Sequence, residues 1–140
     1  VKFVKEKPYQ YPPTPSISHM FALDYQLDKI LEEGIENRYK RHCMLAQIVR
    51  DWATKNCELY SDPENLSVTV TCITNTLGIS FSELNKAMGE RGYLISNGYG
   101  ALKDKTFRIA HMADTTEEEI RELLKNLDEV IVELKASQAK

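Results

Sequence analysis

The stretch TFRIAH, residues 106–111, decides how the second half of this 140-residue chain folds. In an extended strand, alternate side chains point to opposite faces of the sheet. One face then carries Phe107, Ile109 and His111, and the other carries Arg108 between smaller residues. Phe107 and Ile109 would seal the strand onto packed helices. The pattern therefore predicts that Arg108 points away from the core.

Two other segments have the properties of strands. The segment SVTVTCIT, residues 67–74, alternates in the same way and predicts a half-buried strand. The shorter segment YLIS, residues 93–96, predicts a second one, and the Asn97-Gly98 dipeptide after it is typical of a turn.

Helices are predicted before, between and after these strands. Apolar residues at spacings of three and four indicate a long helical region from Ser16 or Ser18 to Asn56, with a bend or break at Gly34. Ser80 and Glu83 form the pattern of a capping box at the start of a short helix. A final amphipathic helix follows Thr115 or Thr116, where acidic residues suit the helix dipole.

This order of elements predicts an α+β fold: a small, mostly antiparallel, three-stranded sheet with long helices packed on one face. Residues 1–15 contain four of the five prolines and predict an extended connector, and residues 16–140 predict one domain. The chain does not begin with Met. We expect it to be part of a longer protein that was cut or processed.

Composition excludes several classes of function. The net charge of −3 argues against a nucleic-acid partner, and no apolar run has the length of a membrane span. Cys43, Cys57 and Cys72 predict reduced thiols in a cytoplasmic protein. The three histidines lack metal-ligand spacing, so we expect surface or packing roles and no metal site.

Arg108 is the residue whose chemistry says most about a possible function. A guanidinium does not lose its charge, and its planar fork matches a carboxylate with two parallel hydrogen bonds. A solvated arginine on an exposed sheet face explains the same pattern. Composition and periodicity alone therefore lead only to a soluble α+β domain.

Two long segments resemble a known family. PPTPSISHMFALDYQLDKILEEGIENRYKRH, residues 12–42, and GYLISNGYGALKDKTFRIAHMAD, residues 92–114, are similar to the C-terminal small domain of class V pyridoxal-phosphate aminotransferases. The nearest subgroup is the serine–pyruvate / alanine–glyoxylate type. The final helix is similar as well, so the resemblance covers nearly the whole chain.

The resemblance implies roles for three residues. Arg108 would bind the α-carboxylate of the amino-acid or 2-oxo-acid substrate. Tyr11 and Thr14, in the motif YPPTP, would reach the phosphate of pyridoxal phosphate in the partner subunit of a homodimer. The family also implies an N-terminal large domain, and that domain carries the Schiff-base lysine. The 140 residues alone are therefore expected to be inactive.

The chain departs from the family pattern at two positions. Where the family often reads RIGHMGD, this chain has Ala110 and Ala113 in place of glycines. An added methyl group at either position is expected to narrow the pocket or to shift substrate preference.

Two other functions remain open at this point. A lyase such as a cysteine desulfurase shares the fold family, but the chain shows no catalytic-cysteine loop of that kind. A free-standing α+β domain that binds partners or small acids without catalysis is the alternative from a different class. A reading frame that extends upstream by the length of a large domain would favour the aminotransferase.

Overall fold

The computed structural model describes residues 5–7, 10 and 14–139. Tyr11 and most of the predicted connector therefore lie outside the described residues. The chain divides into two compact units, Val1–Arg38 and Tyr39–Lys140.

The first unit contains helix α1, Ile17–Glu33, which buries none of its side chains. Gly34 ends it with a φ of 80°, a conformation that glycine adopts without a steric cost, and its N–H donates to the Ile30 carbonyl. The predicted interruption at Gly34 is confirmed. At the other end, the Ser16 hydroxyl lies 2.6 Å from His19 Nδ1 and does not cap the backbone.

The second unit is an antiparallel sheet covered by helices. Helix α2, Ile35–Asn56, begins in the first unit and enters the second. The elements that follow are strand β1 at Glu58–Leu59, β2 at Val70–Thr74, helix α3 at Phe81–Glu90, β3 at Ser96–Asn97, β4 at Thr106–Ala110 and helix α4 at Glu117–Gln138. The strand order is β1-β2-β4-β3, and every neighbouring pair is antiparallel. Within the described residues, no helix combines the length and apolar character that a membrane span requires.

Within the described residues the sheet has four strands, one more than the three that were predicted. Strand β1 was missed because it has only two residues, too few for an alternating pattern to be read. The predicted strand at residues 93–96 is displaced to Ser96–Asn97. The reason is that backbone N–H groups of this segment donate hydrogen bonds to helix α3 and not to a neighbouring strand. The Tyr93 N–H donates to the Met88 carbonyl, and the Ile95 N–H donates to the Asn85 side chain.

The core lies between one face of the sheet and helices α2, α3 and α4. Strand β4 turns Phe107 and Ile109 toward this core, with 0% and 1% of their surface exposed, and Arg108 lies on the other face. The predicted alternation is confirmed. The helices supply the buried residues Leu45, Ala46, Val49, Trp52, Ala53, Phe81, Leu84, Met88, Ile120, Leu124, Leu127, Val130 and Ile131.

Thr106 shares the face of Arg108 yet is 1% exposed, because the loop after β3 covers it. The Gly98 N–H donates to the Thr106 carbonyl at 2.8 Å, which draws the loop onto the strand. A Cβ at Gly98 would collide with the Leu102 carbonyl and approach Thr106 Oγ1 to 2.5 Å. Glycine is therefore required at this close approach.

Side-chain caps start helices α3 and α4 where the sequence predicted them. The Ser80 hydroxyl accepts from the Glu83 N–H at 3.2 Å and donates to the Glu83 carboxylate at 2.7 Å. The Thr116 hydroxyl accepts from the Glu119 N–H, and the Glu119 carboxylate accepts from the Thr116 N–H, which completes a capping box. The start at Thr116 resolves the choice between the two threonines.

Candidate functional site

Arg108 lies at the centre of β4, between two hydrogen-bonded neighbouring strands. Its Cα partners are Cys72 of β2 and Ser96 of β3. The Nε–H donates to the Asn97 carbonyl at 3.2 Å, which orients the half-buried guanidinium. Within the described part of the chain, no carboxylate forms an ion pair with Arg108. The two terminal amino groups of the fork are therefore available to a ligand.

The guanidinium lines a small pocket of about 120 Å³. Strand β2 forms one wall, and the segment Ser61–Ser67 forms another. Arg50 of helix α2 lines the same pocket, and sequence reasoning missed it. The available signal was weak: Arg50 follows the buried Val49, so it lies at the margin of an apolar helix face.

The residues predicted to bind the cofactor phosphate belong to the first unit. Thr14 is exposed, so its hydroxyl is accessible. Tyr11 lies outside the described residues. The role of both residues stays a prediction.

The turn after β4 is held by two side chains of helix α2. Arg41 donates to the Thr115 carbonyl at 2.7 Å and to the Ala113 carbonyl at 2.9 Å. His42 Nε2 lies 3.2 Å from the Ala113 carbonyl. Ala113 has a φ of 60°, a left-handed conformation that disfavours a residue with a Cβ. A glycine would adopt this turn without strain, so the alanine here affects the backbone conformation. Its effect on the width of the pocket stays a prediction.

His111 is fully buried and packs beneath the sheet. Its Nδ1 lies 3.2 Å from the Val68 carbonyl, which can only accept, so Nδ1 carries the proton. Nε2 lies 2.9 Å from the Thr71 hydroxyl and accepts from it. The neutral ring therefore has both nitrogens satisfied, and His111 has the packing role that was one of its two predicted roles.

Burial lowers the pKa of His111. The hydrogen bond to the Val68 carbonyl opposes this effect, and the nearby charge of Arg50 adds to the lowering. Between the lowered folded pKa and the ordinary value near 6.5, the unfolded chain binds more protons than the folded chain. We expect the free energy of unfolding to be highest above pH 6.5 and to decrease as the pH falls through the folded pKa. One proton contributes a slope of at most about 1.4 kcal/mol per pH unit. Urea unfolding at a series of pH values from 7.5 to 5 measures it.

The matched control for this prediction is His111→Asn, because its side-chain N–H still reaches toward the Val68 carbonyl but does not titrate. The variant should lose part of the dependence on pH, whatever its absolute stability. Parallel curves for the two proteins would show that His111 is not the group responsible.

The three cysteines are free thiols. Burial raises the pKa of the Cys57 thiol, which keeps it in its less reactive protonated form at neutral pH. Within the described residues, no group of three or more His, Cys, Asp or Glu side chains is arranged to hold a metal ion.

The relatives found by comparison with known proteins include aminotransferases. No family model matches the chain. An uncharacterized aminotransferase of Methanocaldococcus jannaschii is 36% identical over 135 residues, which cover 95% of this chain and 35% of that protein. The serine–glyoxylate aminotransferase of Arabidopsis thaliana is 37% identical over 123 residues, or 84% of this chain and 30% of the relative. The chain thus spans about a third of the length of the curated relatives it matches.

A solved structure shows the same relationship in three dimensions. The pyridoxamine–pyruvate aminotransferase from Mesorhizobium loti superposes with a TM-score of 0.78 at 27% identity, over 90% of this chain and 33% of that one. Sequence and fold therefore agree on one group of proteins. The chain is a homologue of class V-type aminotransferases and has the fold of their small C-terminal domain.

Proposed function

We propose that this chain is the substrate-binding C-terminal domain of a pyridoxal-phosphate-dependent aminotransferase. The reaction moves an amino group between an amino acid of the serine or alanine kind and a 2-oxo acid of the pyruvate or glyoxylate kind. The observation that carries the proposal is Arg108: its guanidinium is oriented by the Asn97 carbonyl, and it has no ion-pair partner within the described residues. The relatives are named for serine, glyoxylate and pyruvate, and these names support the proposed substrate class.

Arg108 binds and orients the substrate in this proposal. Its two terminal amino groups donate to the two oxygens of the carboxylate, and this bidentate contact fixes the direction of the bond between the carboxylate and Cα. Strands β2 and β3 hold the backbone of β4 on both sides, so the contact is made by a preorganised group. Pyridoxal phosphate, when bound, supplies the electron sink for the chemistry at Cα.

The chain offers groups that suit the cofactor and the rest of the enzyme. The exposed Thr14 hydroxyl suits hydrogen bonding to the cofactor phosphate in the partner subunit of a homodimer, and Tyr11 is proposed to act with it. Helix α1 leaves Phe21, Leu23 and Leu31 exposed. Apolar surface of this kind is typical of an interface. We propose that the N-terminal large domain of the same protein covers it.

The test is amino transfer by the complete protein. With pyridoxal phosphate present, ¹⁵N-labelled serine or alanine is mixed with glyoxylate or pyruvate, and NMR follows the label. We expect ¹⁵N to appear in the amino acid formed from the 2-oxo acid. The 140-residue chain alone should transfer none, because the proposal assigns the cofactor-binding lysine to the large domain.

Two results would contradict this proposal. Release of sulfide from cysteine, without transfer to any of these 2-oxo acids, would assign the protein to the lyases. A reading frame that starts near Val1, together with no activity, would favour a free-standing binding domain.

A further inference from the structure

The pocket beside Arg108 has an unusual balance of charge. Two guanidinium groups line it, those of Arg50 and Arg108, and no Asp or Glu within the described residues does so. Asp62 belongs to the adjoining segment, but its carboxylate accepts from the Glu64 N–H and from the Asn65 amide, so it caps the local turn. Like charges that face one pocket repel each other, and an anion between them removes that cost.

The Arg50 guanidinium is held by one hydrogen bond, and its other N–H groups can still donate. Its Nη2 donates to the Ser67 carbonyl at 2.8 Å, which ties helix α2 to the segment that forms the pocket wall. Within the described residues, no carboxylate pairs with Arg50. Its remaining N–H groups are therefore free of an internal anion, as are the terminal amino groups of Arg108.

The size of the pocket indicates what it holds. Its volume of about 120 Å³ is well below the 300–1,000 Å³ that is typical of pockets for whole ligands. It has room for one small anionic group and the atoms bonded directly to that group. Ser61 also lines the pocket, and its hydroxyl is a further hydrogen-bond donor.

We infer that Arg50 and Arg108 together bind one carboxylate group of the substrate, with Arg50 approaching it from helix α2 and Arg108 from strand β4. This inference rests on the proposed function of Arg108 and extends it to a second residue. The site would take monocarboxylic amino acids and 2-oxo acids, since both arginines act on the same carboxylate.

The test is binding of propionate, an unreactive carboxylic acid, to the complete protein by isothermal titration calorimetry. Arg50→Gln should weaken binding by about 10- to 100-fold, the loss expected for a charge-assisted hydrogen bond. Arg50→Lys retains the charge and should lose less. Arg108→Gln should weaken binding at least as much as Arg50→Gln. The control is Arg121→Gln, because Arg121 is exposed on helix α4 and pairs with Glu117 outside the pocket.

The variants also separate the two proposals. If Arg108→Gln loses binding and Arg50→Gln does not, the inference about Arg50 is wrong and the proposed function stands. If both variants bind propionate as the parent does, both are wrong. Melting temperatures guard against a structural effect: an unstable Arg50→Gln, with Arg50→Lys equally weak in binding, would show that Arg50 only braces the Ser61–Ser67 segment.

Discussion

Replacing Arg108 with alanine in the complete protein should lower kcat/KM roughly 30- to 5,000-fold for both the amino acid and the 2-oxo acid. This corresponds to a loss of transition-state stabilisation on the order of 2–5 kcal/mol. The substrate carboxylate would lose its bidentate partner in a half-buried position. Arg108→Lys keeps the charge but loses the fork, so its loss should be smaller. Steady-state transamination with each substrate varied in turn measures both effects.

The same variants should leave the fold and the cofactor unaffected. Arg108 lies on the sheet face away from the helices, so its side chain contributes little to the core, and the proposal assigns it to substrate. Melting temperature and bound pyridoxal phosphate should match the parent, and Arg121→Ala should match it in activity as well. Full activity in Arg108→Ala would refute the carboxylate assignment. Loss of folding would instead make Arg108 a structural residue.

The adjacent residue of the same strand should behave in the opposite way. Phe107 has 0% of its surface exposed and faces the helices, so Phe107→Ala removes a large buried side chain and leaves a cavity. We expect the free energy of unfolding to fall by about 3–5 kcal/mol. Urea unfolding of the 140-residue chain, monitored by circular dichroism, gives the value.

Leu94→Ala is the control for this change. Leu94 is also apolar, but 87% of its surface is exposed, so its truncation should change the free energy of unfolding by no more than about 0.5 kcal/mol. Equal effects at the two positions would mean that Phe107 is not part of a tightly packed core.

Local patterns predicted the helices well. The capping contacts of Ser80 with Glu83 and of Thr116 with Glu119 join residues three apart, so both partners are visible in a short stretch of sequence. The interruption at Gly34 has the same local origin, because a φ of 80° suits glycine. The elements that were missed or displaced depend on distant partners. Strand β1 exists only because Glu58 and Leu59 pair with Thr74 and Ile73.

The orientation of Arg108 follows from the amino-acid sequence, because the two-residue period of a strand separates its side chain from those of Phe107 and Ile109 whatever surrounds them. Which residues surround the Arg108 side chain is decided only by the tertiary structure. Arg50 reaches the same pocket only because helix α2 packs on the sheet and bonds to the Ser67 carbonyl. Such contacts join residues far apart in sequence and depend on strand register and helix packing, which no short-range pattern encodes.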